Sequence, residues 1–187
     1  IYRVGPLARL NASDGMATPL AQEEYEGMYE TLGGKPAHST LAYHWARLVE
    51  ITYASERGLD LVQDDEIMSR NIRGKVGTPG EGVGVVEAAR GTLFHHYVLN
   101  DDALVKRVNL IVPSTQNNPA MCISIRNVAR NLIHGEEIEE GLLNRVEMAF
   151  RAYDPCVACA THFAYGQMPL EIKLYDYDGT LLRVIRR

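Results

Sequence analysis

The sequence is poor in cysteine, in aromatic side chains and in basic charge. Three cysteines among 187 residues, two of them in one Cys-x-x-Cys, cannot build a disulfide framework, so we expect a reducing, cytoplasmic compartment. A net charge of −5 gives no electrostatic reason to expect a nucleic-acid partner. No apolar run approaches the length that spans a bilayer, so we expect no transmembrane segment. The start lacks the features of a signal peptide, and we expect it to be the interior of a longer chain.

Helical periodicity is present in four segments. Pro19–Leu32 carries Glu and Tyr at helical spacing and stops at Gly33-Gly34, which is a helix-termination signal. In the next helical segment, apolar residues recur every three or four positions and predict one buried face, formed by Leu41, Trp45, Leu48, Ile51 and Ala54. Two further helices are expected over Met121–Ile133 and Glu136–Phe150.

Short strands and turns are expected between and after these helices. Val83–Val86 and Leu110–Val112 are typical of short apolar strands, and Asn117–Pro119 is expected to break the second. The glycine-rich run Gly74–Gly84 lacks the spacing of a phosphate-binding loop and predicts a loop for close backbone approach and tight turning. Alternating residues around Asp178-Gly179 predict a C-terminal β-hairpin tail. Together these elements predict an α+β fold that is mostly helical.

The segment Arg151–His162 carries most of the recognisable chemistry. It places Cys156, Cys159 and His162 at successive three-residue spacings behind Asp154-Pro155. If the segment is helical, Asp154 is a natural N-cap, and the positive end of the helix dipole favours the thiolate that binds metal. The spacing alone leaves several interpretations open: a redox thiol pair, a zinc site with Cys122 as the further thiol, an iron–sulfur cluster, two buried structural thiols, or a soft-metal site shared between distant segments.

Several motifs in the chain together resemble the large subunit of nickel–iron hydrogenases, in its C-terminal half. Asp154–His162 resembles the C-terminal signature of that subunit, Glu87–Tyr97 its arginine motif, and Val112–Asn118 its diatomic-ligand pocket. Val4–Asn11 and Glu140–Phe150 are similar to other segments of the subunit, so the resemblance covers essentially the whole chain. Within the family the chain looks most like the cytoplasmic, bidirectional group that couples to nicotinamide, to the deazaflavin F420 or to heterodisulfide reductase.

The resemblance implies a nickel–iron centre whose iron carries carbon monoxide and cyanide. Cys156 is then expected to be a terminal nickel thiolate, and Cys159 to bridge nickel and iron. Ser114 is expected to hydrogen-bond one cyanide within an apolar pocket, and that pocket is expected to be lined by Leu93, Val112 and Pro113. A second metal is implied as well, because His162 and the backbone carbonyl of Leu110 are expected to help hold magnesium.

The activity implied by this resemblance is the reversible heterolytic cleavage of H2. A metal acts as Lewis acid, and a thiolate or a guanidine receives the proton. Arg90 is expected to project its guanidinium over the open metal position, with Asp154 orienting it through an ion pair. On its own, Arg90 is more readily explained by a surface pair with Glu87, and Ser114 by a turn or cap.

The same resemblance implies partners and a processing step. An iron–sulfur small subunit would receive the electrons, and further electron-transfer subunits would pass them to a soluble carrier. Many members are trimmed after the histidine by a maturation endopeptidase. We therefore interpret residues 1–162 as the C-terminal half of the large subunit. Residues 163–187 are then the C-terminal extension.

Two departures from the family pattern keep alternatives open. The family's other Cys-x-x-Cys is absent, so we expect a fragment, one part of a split subunit, or a degenerate relative. Ala89 stands where the family usually has proline, which loosens the segment before Arg90. The alternatives in function are a nickel-free relative from the quinone module of complex I and a non-catalytic or immature form.

Overall fold

The structure is a computed structural model that describes residues 2–134, 140–156 and 171–186. The chain divides into two compact units, Ile1–Cys156 and Val157–Arg187. The first unit contains the helices α1 (Pro6–Ala12), α2 (Pro19–Thr31), α3 (Ala42–Val62), α4 (Pro113–Leu132) and α5 (Glu140–Arg151), a 3-10 turn (Asp65–Met68), and the strands β1 (Glu81–Ala88), β2 (Gly91–Leu99) and β3 (Val105–Ile111). The predicted α+β fold is confirmed.

Helices α1, α2 and α3 form the core of the first unit. Helices α1 and α2 each begin with proline. Proline is tolerated there because the first N–H of a helix has no acceptor within the helix. Helix α2 ends as predicted, because Gly33 adopts a φ of +83° and the Gly34 N–H donates to the Tyr29 carbonyl at 2.8 Å. The largest fully buried side chains of these helices are Leu7, Leu10, Met28, Tyr43 and Val49.

Helix α3 forms where it was predicted, but the predicted buried face is wrong. Leu41, Leu48 and Ile51 are 57%, 61% and 54% exposed. The buried stripe is the neighbouring one, where Ala42, Tyr43, Ala46 and Val49 pack on α1 and α2. Small alanines allow close approach of the helices, so the side of α3 with the smaller residues faces this core.

Strands β1, β2 and β3 form an antiparallel sheet in sequence order. Ala88 pairs with Gly91, so β1 and β2 are joined by the two-residue turn Ala89-Arg90. The expected close approach along Gly74–Gly84 is wrong, because an added Cβ at Gly74, Gly77, Gly80, Gly82 or Gly84 would meet nothing within 4 Å. Gly82 and Gly84 belong to β1 rather than to the loop.

Helix α4 contains the segment that was expected to break the pattern. It begins at Pro113, directly after β3, and continues through Asn117 and Pro119 to Leu132. Asn117 is 1% exposed, and its Oδ1 accepts the Val4 N–H at 2.9 Å while its Nδ2 donates to the Val4 carbonyl at 3.1 Å. The strand therefore ends before this segment, at Ile111, and the asparagine links α4 to the N-terminal segment.

The second unit contains the predicted hairpin. Strands β4 (Glu171–Tyr175) and β5 (Leu181–Arg186) pair in antiparallel register. Gly179 has a φ of +85°, and Asp178 Oδ1 accepts the Thr180 N–H at 3.0 Å, as the Asp-Gly signal predicts. The expected boundary between residues 162 and 163 lies outside the described residues.

No helix in the described part of the chain is long and apolar enough to cross a membrane.

Candidate metal centre

Arg90 occupies the tip of the β1–β2 turn, where two glycines let the chain pack closely. An added Cβ at Gly91, whose φ is +135°, would lie 2.4 Å from Val4 Cγ2. An added Cβ at Gly5, whose φ is +113°, would lie 3.1 Å from the Arg90 carbonyl oxygen. Glycine at both positions allows the Val4-Gly5 segment to lie against the turn. This packing fixes the position of the Arg90 backbone, from which its side chain extends.

The guanidinium of Arg90 is paired with Asp154, as the resemblance implied. Arg90 Nε donates to the Asp154 carbonyl oxygen at 2.9 Å and lies 3.1 Å from its Oδ2. Glu87, the alternative partner, instead pairs with Arg9 at 2.9 Å. The two terminal nitrogens of Arg90 have no hydrogen-bond partner among the described residues. They remain available to a group outside this set.

Asp154 does not have the conformation of an N-cap. Its φ is +50°, in the left-handed region, whereas a cap residue is normally extended. Its N–H bonds the Arg151 carbonyl at 2.9 Å, so Asp154 belongs to the end of α5. Aspartate tolerates this conformation better than most residues do, and the turn directs the carboxylate and the carbonyl to the same arginine.

Ser114 connects α4 to the cysteine segment. It is 5% exposed at the second position of α4, and its Oγ accepts the Cys156 N–H at 3.1 Å. The structure therefore excludes a cap or surface-turn role for Ser114. Among the described residues its hydroxyl proton has no acceptor, so the serine has a donor to offer.

The residues expected to line the diatomic-ligand pocket lie on two elements that are tied together. Val112 and Pro113 lead into α4, and Leu93 lies on β2 opposite Val86. Gln116 Nε2 donates to the Thr92 carbonyl at 2.6 Å, which holds the first turn of α4 against β2 beside Leu93. Pro113 is buried, and Leu93 and Val112 are half-buried.

The expected metal ligands are only partly described. Cys159 and His162 lie outside the described residues, and no group of three or more His, Cys, Asp or Glu that could hold a metal occurs within the described ones. The Cys156 sulfur is disulfide-bonded in this structure, so metal binding requires its reduction to the thiolate. Leu110 lies on β3 opposite His95.

Cys122 is remote from the cysteine segment. It is free and exposed on α4. It lies eight residues beyond Ser114 on the same helix, roughly 12 Å further along the axis. Because Ser114 contacts Cys156, Cys122 is too far away to be a further ligand beside it.

Arg9 is a site residue that sequence reasoning missed. It lines a cavity of about 580 Å³ together with Glu50, Ala88, Ala89 and Asp154. Burial lowers the pKa of the Arg9 guanidinium, but hydrogen bonds and the charges of Glu50 and Glu87 outweigh that effect and raise it above its ordinary value. Arg9 is therefore a permanent cation beside the Arg90–Asp154 pair. Its position in the similar segment Val4–Asn11 was the available signal.

The described residues fit a nickel–iron group as far as they contain its site. Cys156 supplies a soft sulfur ligand. Ser114 supplies a buried hydroxyl donor next to it, and Arg90 supplies two guanidinium nitrogens that have no partner among the described residues. A soft ligand with hydrogen-bond donors around it suits a thiolate-bound metal that carries polar diatomic ligands.

Comparisons with known proteins identify the family to which the chain is similar. The family model described as nickel-dependent hydrogenase matches residues 1–162. The chain is 48% identical over its whole length to an iron-sulfur subunit of the F420-non-reducing hydrogenase of Archaeoglobus profundus, of which it covers 38%. It is 44% identical over 96% of its length to the NAD-reducing hydrogenase HoxS subunit beta of Cupriavidus necator, of which it also covers 38%.

A solved structure of an NAD+-reducing [NiFe]-hydrogenase in the H2-reduced state superposes with a TM-score of 0.82 at 42% identity. The match covers 87% of this chain and 36% of that one. The chain thus spans less than two fifths of the length of these relatives.

Proposed function

Because the chain belongs to the nickel-dependent hydrogenase family, we propose that it forms the C-terminal half of a catalytic subunit that interconverts H2 with two protons and two electrons. The remaining half of the metal site then comes from polypeptide beyond this sequence. One observation carries the proposal: Arg90 is joined to Asp154 two residues before Cys156, whose amide is bound by the buried Ser114. A guanidinium, a hydroxyl and a sulfur are brought together from three distant parts of the sequence.

The proposed metal site uses the cysteine segment and the start of α4. Cys156 and Cys159 would hold the nickel–iron group through their sulfurs, with Cys156 as a terminal nickel thiolate and Cys159 shared between the two metals. The hydroxyl proton of Ser114, which has no acceptor among the described residues, would be donated to a cyanide on the iron. The buried or half-buried apolar side chains of Leu93, Val112 and Pro113 exclude water from the diatomic ligands.

When bound, the nickel–iron group supplies the Lewis acid and the electron acceptor for heterolysis of H2. The chain's own residues supply the place for the proton. The sulfur of Cys156 would receive the proton, with the guanidinium of Arg90 nearby. The Asp154 carboxylate and carbonyl hold Arg90 by Nε and leave its terminal nitrogens directed elsewhere. This arrangement keeps a fixed positive charge where electron density builds up.

A magnesium ion and several partners complete the proposal. The ion is held by His162 and by the backbone carbonyl of Leu110, since hard cations prefer carbonyl oxygens and water. An iron–sulfur small subunit receives the electrons and passes them to further electron-transfer subunits, as expected for a heteromeric enzyme whose acceptor is set by those partners. We place the complex in the cytoplasm, where thiols stay reduced. Residues 163–187 are an extension that a maturation endopeptidase removes.

Metal analysis of the assembled complex tests this function. The wild-type complex is expected to contain nickel and iron, and Cys156→Ser is expected to lose nickel because a hydroxyl replaces the soft thiolate. Cys122→Ser is the matched control and should keep both metals, since Cys122 is exposed and remote. A wild-type complex without either metal would instead support the nickel-free relative or the immature form.

A further inference from the structure

The turn that carries Arg90 lacks the backbone conformation that usually joins two antiparallel strands through two residues. Two-residue turns between antiparallel strands usually adopt the primed types, which need a positive φ at one or both central residues. Neither Ala89 nor Arg90 has a positive φ. The unprimed conformation matches the strand twist less well, and neither Ala89 nor Arg90 is a residue type that specifies a turn, although glycine at position 91 is compatible with it. Contacts from other elements therefore help to hold this conformation.

Arg9 supplies those contacts from α1. Its Nη1 donates to the Ala88 carbonyl at 2.8 Å, and its Nη2 donates to the Ala89 carbonyl at 3.1 Å. Nη1 also lies 2.9 Å from Glu87 Oε2. The planar guanidinium thus holds two consecutive carbonyls directly before Arg90, and a lysine could not reproduce that fork.

Glu50 holds Arg9 in turn. Its Oε1 accepts from Arg9 Nε and its Oε2 from Arg9 Nη2, both at 2.6 Å, in a bidentate pair. Glu50 follows the fully buried Val49 in α3, so the pair is anchored on the core. Both side chains are about a fifth exposed, which limits screening by solvent.

We propose that Arg9 is a positioning residue that sets the orientation of the Arg90 guanidinium by fixing the backbone of the turn before it. Arg9 acts through the Ala88 and Ala89 carbonyls, with Glu50 as its anchor. The proposal rests on the proposed function, because it assigns Arg90 to the reaction. It adds a residue that belongs neither to the metal ligands nor to the Arg90–Asp154 pair.

The test uses Arg9→Lys in the assembled complex, which keeps the charge and loses the fork. Misplacement of a catalytic group slows the chemical step more than it weakens binding, so kcat for H2 oxidation should fall by about 10- to 100-fold with KM changed less than about twofold. Amide hydrogen exchange over residues 88–91 should become faster, while nickel content stays at the wild-type level. Arg57→Lys is the matched control, because within the described ranges Arg57 makes a single, exposed pair with Asp60 in α3.

A second substitution separates positioning from general damage. Proline is favoured at the first central position of a turn with negative φ, and among the described residues the Ala89 N–H makes no hydrogen bond that proline would remove. Ala89→Pro added to Arg9→Lys should therefore recover roughly tenfold in kcat and slow the exchange again. General damage caused by Arg9→Lys would not be repaired by stiffening this one turn.

Each outcome decides the proposal. Unchanged kcat and exchange in Arg9→Lys, or a loss that Ala89→Pro does not repair, would overturn it. If Arg9→Lys does not assemble, Glu50→Gln carries the test, with a smaller fall in kcat expected and an unchanged kcat overturning the proposal. Failure of the proposed function is distinct, because the wild-type complex would then lack hydrogenase activity altogether.

Discussion

Arg90 and Asp154, 64 residues apart, meet through both the backbone and the side chain of the aspartate. Arg90 Nε lies 2.9 Å from the Asp154 carbonyl oxygen and 3.1 Å from its Oδ2. The left-handed φ of +50° at Asp154 makes this double contact possible, because it turns the chain sharply after α5. The contact ties the turn at Arg90 to the residue two positions before Cys156.

Replacing the carboxylate of Asp154 tests how far it orients Arg90. Asp154→Asn keeps the carbonyl contact and tolerates the left-handed conformation, but it removes the charge. We expect hydrogenase activity of the assembled complex to fall by about 10- to 100-fold with nickel retained, as is typical when an orienting partner is lost. Activity assays with metal analysis check this. Asp60→Asn, at an exposed site on α3, should leave activity unchanged, and equal activities in the two variants would contradict the role of Asp154.

Removing the Ser114 hydroxyl should destabilise the cysteine segment. Ser114→Ala leaves the half-buried Cys156 N–H without its acceptor, which costs about 1 kcal/mol. We expect faster amide exchange at Cys156 and a lower thermal midpoint of the assembled complex. Ser55→Ala is the control, because the Ser55 hydroxyl bonds only the Ile51 carbonyl on an exposed face of α3. Equal midpoints for the two variants would show that the Ser114 contact is unimportant.

Asn117 should contribute much more to stability than the asparagine that follows it. Asn117→Ala removes both hydrogen bonds to Val4 and leaves buried polar groups unpaired, so the free energy of unfolding should fall by about 2–4 kcal/mol. Asn118→Ala changes an exposed position on the same helix and should stay within about 0.5 kcal/mol of wild type. Urea unfolding compares them. Similar losses in both would mean that the Val4 link does not hold α4 in place.

Tyr43 should make the protein sensitive to alkali. Burial raises the pKa of its hydroxyl to about 12, although Arg3 acts in the opposite direction. Tyrosine in an unfolded chain ionises near pH 10, so the unfolded state loses its proton first. The free energy of unfolding should be independent of this group below about pH 10 and should fall as the pH rises towards about 12.

Urea unfolding at several alkaline pH values, with tyrosinate absorbance as the second signal, measures this dependence. Tyr43→Phe removes the titrating hydroxyl, so its stability should fall less steeply with pH. Part of the dependence should persist, because burial also raises the pKa of Tyr29 to about 12. An identical pH dependence in Tyr43→Phe and wild type would contradict this assignment.

The elements that were predicted correctly are those with local signals. Proline at the start and Gly33-Gly34 at the end delimit α2, and Asp178-Gly179 forms the turn of the hairpin. These residues act within a few positions of themselves, through fixed φ values or positive φ. The sequence is therefore sufficient to locate them.

The incorrect predictions concern contacts between distant segments. The buried stripe of α3 depends on which side meets α1 and α2, and periodicity alone allows a neighbouring stripe. Asn117 was expected to interrupt a strand, but it lies within α4 and its side chain bonds the backbone of Val4, 113 residues away. The glycines that permit close approach are not those of Gly74–Gly84. They are Gly5, which packs against Arg90, and Gly91, which packs against Val4.

The candidate site follows the same division. The motifs identified Arg90, Asp154, Cys156 and Ser114, and the structure brings these four residues into one network. Arg9 was missed as a site residue because its partners, Glu50, Glu87 and the carbonyls of Ala88 and Ala89, come from other elements. Backbone carbonyls have no residue-type signature, so sequence reasoning could not have identified that contact.

Infrared spectroscopy of the assembled complex tests the central claim most directly. If Cys156 anchors a nickel–iron group with carbon monoxide and cyanide on the iron, the wild-type spectrum should contain the stretching bands of both ligands. Cys156→Ser should lose or shift these bands, and Cys122→Ser should preserve them. A wild-type spectrum without such bands, or bands unaffected by Cys156→Ser, would contradict the account.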